Sequence, residues 1–304
     1  MEKADKIWMD GKLIPWQEAN IHVLTHTLHY GLGVFEGLRC YKAKKKSYIF
    51  RLKEHVERLF DSAKILGIEI PFNRGQITKA IIQSVAANKL DECYIRPIVF
   101  LGGNKMGLNK AGVDVHTAIA AWPWGAYLGE EGLDLGIRVK VSTFTRHHVN
   151  ISMTRAKACG YYINSIMAKA EAVQDGYDEA ILLDPNGYVS EGSGENIFSY
   201  SKGILRTPSL CHSNLDGITR NAVMQICNDL KIKVEETSMT RDELYLSDEI
   251  FLTGTAAEIT PVREVDKRTI GNGKKGKITS MVQKQFFEIV RGKNSKYKKW
   301  LTEV

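Results

Sequence analysis

Three kinds of group along the chain can do chemistry. The first is a carboxylate, Glu191, at the head of the run Glu-Gly-Ser-Gly-Glu-Asn-Ile-Phe, where Gly192 and Gly194 bend the chain after a strand. On its own it reads as an ordinary turn glutamate. The second is a helix start, Leu215-Asp216-Gly217-Ile218-Thr219-Arg220, whose first N–H groups at Ile218 and Thr219 and positive dipole end make a ready phosphate seat. Carboxylate and seat together can grip both ends of a charged, planar, phosphate-bearing ligand. The third is Lys157, set between Ala156 and Ala158 just ahead of Gly160, where small neighbours let a ligand approach its nitrogen. Taken alone, such a lysine is structural or solvated.

The elements that must position these groups follow from periodicity and turn chemistry. Ile7-Trp8-Met9 and Lys12-Leu13-Ile14 flank Asp10-Gly11, a hairpin with a primed turn. His22, His26 and His29 would share one face of a helix. Their neighbours are Val, Leu and Thr with no companion carboxylate or cysteine, so structural histidines are favoured over a metal site. Val34 to Tyr41 is strand-like. Leu52 to Leu66 keeps its apolar residues at helical spacing with Gly67 as a stop, and Arg58 lies beside that stripe. A second helix spans about Arg74 to Ala87. In the strand Cys93 to Phe100, Tyr94 and Arg96 point to the same face. Thr117 to Trp122 is another strand, and it ends in the bulky loop Trp122-Pro123-Trp124-Gly125-Ala126-Tyr127, of the kind that lines pockets or interfaces.

In the second half, Val139 to Ser142 is a strand, and Tyr162 to Gln174 a helix with Ile166, Met167 and Ala170 on one side. Glu179 to Leu183 and Tyr188 to Ser190 flank the turn signal Asn186-Gly187. The hairpin Asn196–Tyr200/Ile204–Thr207 precedes the helix opened by Gly217. The strand from Glu249 ends in Gly254-Thr255-Ala256-Ala257, a small-residue loop able to present N–H groups to an anion. Gly271-Asn272-Gly273-Lys274-Lys275-Gly276 has the spacing GxGxxG but follows no buried strand, so it is a lysine-rich turn.

At 304 residues, 43% hydrophobic and 25% charged, the composition is that of a globular enzyme of one large or two ordinary domains. No stretch approaches the roughly 18 apolar residues of a spanning helix, and the first residues lack the apolar core of a signal peptide. The 5 cysteines are odd in number and widely spaced, which points to a reducing cytoplasm rather than a disulfide framework or zinc ribbon. The net charge of +7 is spread over Lys42 to Lys46, Lys274 to Lys277 and Lys293 to Lys299, with aromatics interleaved only in the last. That distribution reads as solvated surface rather than a nucleic-acid stripe.

The chain resembles the fold-type IV pyridoxal phosphate enzymes, and among them the branched-chain amino acid aminotransferases. The segments that carry the resemblance are His29-Tyr30-Gly31, Val34 to Gly37, Arg58-Leu59, Tyr94 to Pro97, Pro123 to Tyr127, Ala156 to Ala158, Glu191 to Asn196, Gly217 to Arg220 and Gly254 to Glu258. They run in order over nearly the whole chain and match least after about Gly271. The resemblance implies an α+β fold with a smaller N-terminal α/β domain over 1–123, an interdomain loop over 124–136 and a larger domain over 137–304. The larger domain would carry a barrel-like sheet, with the cofactor between the two.

It also implies roles. Lys157 would form the Schiff base with pyridoxal 5′-phosphate and serve as general base. Glu191 would face the pyridine nitrogen, and Tyr162 the phenolic oxygen. Arg58, Ile218, Thr219 and Thr255 would hold the phosphate. Phe35, Trp124, Tyr127 and Tyr162 would supply apolar walls, while Arg96, Tyr30 and Tyr127 would receive a distal carboxylate. Tyr94 and the backbone at Thr255 and Ala256 would bind the α-carboxylate. In relatives Tyr30 arrives from a neighbouring subunit, which implies at least a homodimer, with a hexamer left open. The implied reaction moves the amino group of L-leucine, L-isoleucine or L-valine to 2-oxoglutarate, with neither nucleic acid nor membrane as partner.

A D-amino acid or (R)-amine transaminase, or an aminodeoxychorismate lyase, would share Lys157 and Glu191. Tyr94-Ile95-Arg96 together with Gly254 to Ala257 favours the branched-chain reading. A non-catalytic binder is the alternative of a different class. One departure stands out. Relatives commonly have Gly-Gly-Asn-Tyr after Lys-Ala, whereas this chain has Cys159-Gly160-Tyr161-Tyr162, which implies altered packing near Lys157.

Overall fold

The computed structural model describes residues 3–44, 46–125 and 127–304; Met1, Glu2, Lys45 and Ala126 of the Pro123–Tyr127 loop lie outside the described residues. The chain forms two compact units. The first comprises Met1–Trp124, Ala156–Tyr161 and Ile289–Val304, and the second Gly125–Arg155 and Tyr162–Glu288.

The first unit is built on one sheet with helices α1 (His26–Tyr30), α2 (Leu52–Ile65) and α3 (Arg74–Ala87). Strands β1 (Lys6–Met9) and β2 (Lys12–Pro15) form the expected hairpin, with Asp10 and Gly11 both at positive φ. Between β3 (Gly33–Phe35) and β4 (Leu38–Ala43) the chain breaks at Glu36-Gly37, where the sequence reads as one strand. A Cβ on residue 37 would lie 1.9 Å from the Tyr94 hydroxyl, so the break belongs to the place where Tyr94 presses on the backbone. The sheet runs from the C-terminal strand Leu301–Glu303 through β5 (Lys46–Phe50), β4, β6 (Cys93–Leu101), β7 (Val115–Trp122) and β1 to β2, with β3 beside β6. The apolar faces of α2 and α3 (Leu52, Val56, Leu59, Ile77, Ile81, Val85) pack with Leu38, Ile49, Ile95 and Ile119 in one core.

Two segments placed by sequence in the second domain pack here instead. Ala158 bridges Val34, and Leu301–Glu303 pairs with β5. Their partners are more than 100 positions away in the chain, beyond the reach of local patterning.

The second unit carries β8 (Ile137–Thr145), β9 (Glu179–Leu183), β10 (Val189–Gly192), β11 (Asn196–Ser201), β12 (Ile204–Pro208), β13 (Lys233–Thr237), β14 (Glu249–Gly254), β15 (Glu258–Val265) and β16 (Arg268–Thr269). The sheet order is β10-β9-β8-β15-β14-β11-β12-β13, with β16 on β15. In a flat sheet, five strand spacings of about 4.8 Å would separate β10 from β11. The chain crosses from Gly192 to Asn196, a reach of at most about 14 Å, and Gly192 N–H donates to Glu195 C=O at 2.6 Å. The sheet therefore curls into the barrel-like form.

The 124–136 stretch, expected as a loop, contains helix α4 (Glu130–Leu135), and its Leu133 C=O accepts from Gln283 Nε2 at 3.0 Å. Helix α5 (Tyr162–Gln174) buries Ser165, Ala168 and Ala172 and leaves Ile166 and Met167 exposed, the reverse of the face its large apolar residues suggest. Ala168 and Ala172 pack with Ala180 and Leu182, where small side chains permit a close approach to the sheet. Helices α6 (Ile218–Asp229), α7 (Arg241–Tyr245) and α8 (Lys277–Val290) follow along the chain. Among the described residues no helix is long and apolar enough to cross a membrane.

Candidate active site

In the first unit Lys157 is held by its backbone. Its N–H donates to Ser62 Oγ on α2 at 3.0 Å, and its C=O accepts from the N–H of Phe35 at 3.0 Å. Glycines bring the segment close: a Cβ at residue 31 would lie 2.9 Å from Gly160 Cα, and Gly31 is also at positive φ. The Lys157 amine lies 4.8 Å from the Phe35 ring centroid. Arg96 lies 4.7 Å from the same ring and 5.2 Å from that of Tyr94, and its Nη2 donates to the Tyr94 hydroxyl at 3.2 Å. Arg96 Nε is buried and finds no hydrogen-bond partner among the described residues. Tyr94 packs edge-on against Trp124 at 4.6 Å. The unit thus gathers Lys157, Phe35, Tyr94, Arg96 and Trp124 into one patch of cations on aromatic faces.

Arg58, on α2, makes a two-pronged contact with Glu36, Nε to Oε1 at 2.6 Å and Nη2 to Oε2 at 3.0 Å. His55 Nδ1 bonds the same carboxylate at 2.7 Å. Burial opposes ionisation of Glu36, but the charges of Arg58 and His55 and the bonds they donate hold it well below the usual carboxylate range. Burial chiefly pushes His55 down.

Tyr30 is 43% exposed, and its ring partners are His26 and His29. The histidines bond main chain, His26 to Gly107 C=O and His29 to Val23 C=O, while His22 precedes α1 and accepts from Leu24 N–H. Burial chiefly pushes the Cys159 thiol up, to about 11.

In the second unit Glu191 is buried at the end of β10. Its Oε2 accepts from Leu215 N–H at 3.0 Å, and its Oε1 pairs with Arg146 Nε at 2.9 Å. Asn196 Nδ2 donates to Leu215 C=O at 2.9 Å. These contacts fix the approach to α6, whose N-cap Gly217 supplies no capping side chain. A Cβ on residue 217 would meet Asn196 Oδ1 at 1.9 Å. Ile218 and Thr219 open the helix, both buried. Thr255 and Ala256 lie in the turn between β14 and β15, and a Cβ on Gly254 would touch Gly194 C=O at 3.4 Å, so that turn abuts the one after Glu191. Glu191, the α6 start and the Thr255 turn are thereby gathered.

Tyr162 begins α5, and Arg146 Nη1 reaches the same helical turn at Ser165 Oγ, 3.3 Å away. Tyr127 is 39% exposed, with the amine of Lys169 on α5 5.8 Å from its ring centroid.

Sequence reasoning missed Arg146, Glu36 and His55 as supporting groups. Only Glu36 stood in a recognised segment. The available signal for Arg146 was that a buried carboxylate such as Glu191 needs a cation partner.

The model of the class IV aminotransferases matches residues 33–265, most of the chain. The chain belongs to the class IV aminotransferase family. It is 53% identical to the branched-chain-amino-acid aminotransferase of Pseudomonas aeruginosa, covering 100% of both chains. The Escherichia coli branched-chain amino acid aminotransferase structure superposes with a TM-score of 0.96 at 45% identity, covering 98% of this chain and 99% of that one. The T.th. enzyme of the same name, solved with pyridoxamine 5′-phosphate, gives 0.96 at 46% identity and 99% coverage of each chain. In complex with N-(5′-phosphopyridoxyl)-L-glutamate it gives 0.95 at 44%, again covering 99% of each.

Proposed function

We propose that the chain moves the amino group of L-leucine, L-isoleucine or L-valine to 2-oxoglutarate, releasing branched-chain 2-oxo acids and L-glutamate, with pyridoxal 5′-phosphate as cofactor. The names of its full-length relatives support this reading. The structural observation that carries it is the Phe35 patch, where an apolar ring lies under the Arg96 guanidinium. One such surface meets both an aliphatic side chain and the carboxylate of glutamate.

The residues present fit the cofactor. An uncapped helix start over a glycine that cannot bear a Cβ suits a phosphate. In this reading Arg58, Ile218, Thr219 and Thr255 would hold the phosphate, Glu191 would face the ring nitrogen, and Tyr162 would meet the phenolic oxygen. Bound pyridoxal phosphate supplies a ring that takes up the electron pair left when the substrate Cα loses its proton. Lys157 would hold the cofactor, and its Nζ would accept the substrate Cα proton as general base, a task that requires it neutral. Arg96, Tyr30 and Tyr127 receive the distal carboxylate. Phe35, Trp124, Tyr127 and Tyr162 form apolar walls. Tyr94 and the turn at Thr255 and Ala256 bind the α-carboxylate.

Tyr30 acts, in this proposal, in the site of a second copy of the chain, so the enzyme is at least a dimer. The exposed Ile21, Val23, Leu24, Leu28 and Tyr30 support this, because such a run is costly to leave in water. The five free cysteines suit a reducing cytoplasm.

The test is a panel of L-leucine, L-isoleucine, L-valine, D-alanine and an (R)-amine against 2-oxoglutarate, with Lys157→Ala as control. The purified protein is expected to be yellow, to favour the L-amino acids and to lose transamination in the variant. D-alanine or the amine winning the panel would overturn the substrate assignment. A colourless protein that cannot be loaded with pyridoxal phosphate would overturn the enzyme reading.

A further inference from the structure

We propose that Glu36 is a positioning residue that sets the grip of Arg58 on the cofactor phosphate. The inference rests on the reading of Arg58 as a phosphate ligand.

Glu36 is 1% exposed, and each part of it is tied down. Its N–H donates to Pro97 C=O at 2.8 Å. Its carboxylate takes Arg58 at Nε (2.6 Å) and Nη2 (3.0 Å), His55 at Nδ1 (2.7 Å) and the Gly37 N–H (3.2 Å). His55 and Arg58 stand three apart on α2, so one carboxylate clasps one helical face. The residue before it, Phe35, holds the Lys157 carbonyl, and Ser62 one turn beyond Arg58 holds the Lys157 N–H. The lysine segment and the arginine therefore share one frame.

Holding a guanidinium by Nε and one Nη nitrogen fixes both its plane and its rotation within that plane. The edge offered to a phosphate is then set before the phosphate arrives. An arginine left to itself has large rotamer freedom to lose on binding, and restraint in advance raises affinity by removing that cost. An opposing effect exists, because a carboxylate near a phosphate repels it. Here that charge is already met by Arg58, His55 and the Gly37 N–H, while guanidinium–phosphate bonds depend strongly on angle. Orientation is expected to win.

The experiment is equilibrium dialysis of pyridoxal phosphate from the full-length holoenzyme, read by absorbance, for wild type, Glu36→Gln, Arg58→Ala and the double variant. Glu36→Gln is expected to raise the cofactor dissociation constant on the order of tenfold. In the Arg58→Ala background the same change should have almost no effect, a coupling that a merely structural role would not produce. Glu36→Gln binding as tightly as wild type, or more tightly, overturns the proposal, as does full additivity of the two changes. Arg58→Ala binding like wild type would instead overturn the reading of Arg58 as a phosphate ligand. If Glu36→Gln does not fold, Arg58→Lys, which keeps the charge but cannot fork, gives the second measurement. It must weaken binding comparably, and retention at wild-type strength overturns the proposal.

Discussion

Glu191 accepts a hydrogen bond from the main-chain N–H of Leu215 at 3.0 Å, so the carboxylate and the helix start that follows Gly217 are parts of one braced structure. Arg146 balances the charge from the other side at 2.9 Å. Glu191→Gln keeps an acceptor for Leu215 but loses the charge that would face the ring nitrogen. The variant should lose about 100-fold or more in kcat, as expected when an electrostatic partner of the reacting group is removed, beyond the stability lost by leaving buried Arg146 without its anionic partner. A loss confined to KM would contradict the assigned role.

Gly217 sits where a methyl group would lie 1.9 Å from Asn196 Oδ1, and the same Asn196 side chain donates to Leu215 C=O. Gly217→Ala must displace Asn196 or the α6 start. The expected cost is about 1–3 kcal/mol of stability, typical of forced overpacking, measured by denaturant titration. Cofactor retention should fall with it. A neutral outcome would mean the turn is softer than its contacts suggest.

Arg96 and Lys157 lie at 4.7 and 4.8 Å from the same Phe35 ring. If Arg96 serves the distal carboxylate, Arg96→Met keeps the apolar stem and removes the charge. The KM for 2-oxoglutarate should then rise about 10- to 100-fold, the range for losing a charge-assisted contact. The KM for leucine should change much less. Equal losses for both substrates would remove Arg96 from that role.

Local order explains what was legible in the sequence. Leu52–Ile65 was readable because its apolar residues repeat at helical spacing, Asp10-Gly11 because a primed turn demands such residues, and Asn186-Gly187 because Gly187, at positive φ, closes a turn in which its N–H donates to Asp184 C=O. Gly217 was readable as the start of α6 because Ala222, Val223 and Ile226 behind it keep helical spacing. What stayed hidden depends on distant partners. The break at Glu36-Gly37 is set by Tyr94, the company of Glu191 by Arg146, and the packing of Ala156–Tyr161 with the first unit by β3. The buried face of α5 was hidden for another reason. Burial there follows the small residues that approach the sheet, while Ile166 and Met167 remain exposed.

Glu195 offers a prediction about pH. Burial first, then the nearby charges of Glu179 and Glu191, push its carboxyl well above the usual range, to about 8, against the Gly194 N–H and Lys169, which favour the ionised form. Glu179 is itself buried and paired with Lys169 at 2.8 Å. The folded state then keeps a proton that the unfolded state releases from about pH 4.5 upward. Stability contributed by this group is complete below the unfolded value and is lost as pH rises through about 8. Glu195→Gln mimics the protonated side chain at every pH and can still accept from Gly194 N–H. The melting temperature of the variant relative to wild type should therefore improve between pH 6 and pH 9, by about 2–4 °C for each kcal/mol recovered. A difference that stays flat across that window, or shrinks, would show that Glu195 is ionised in the folded protein at neutral pH.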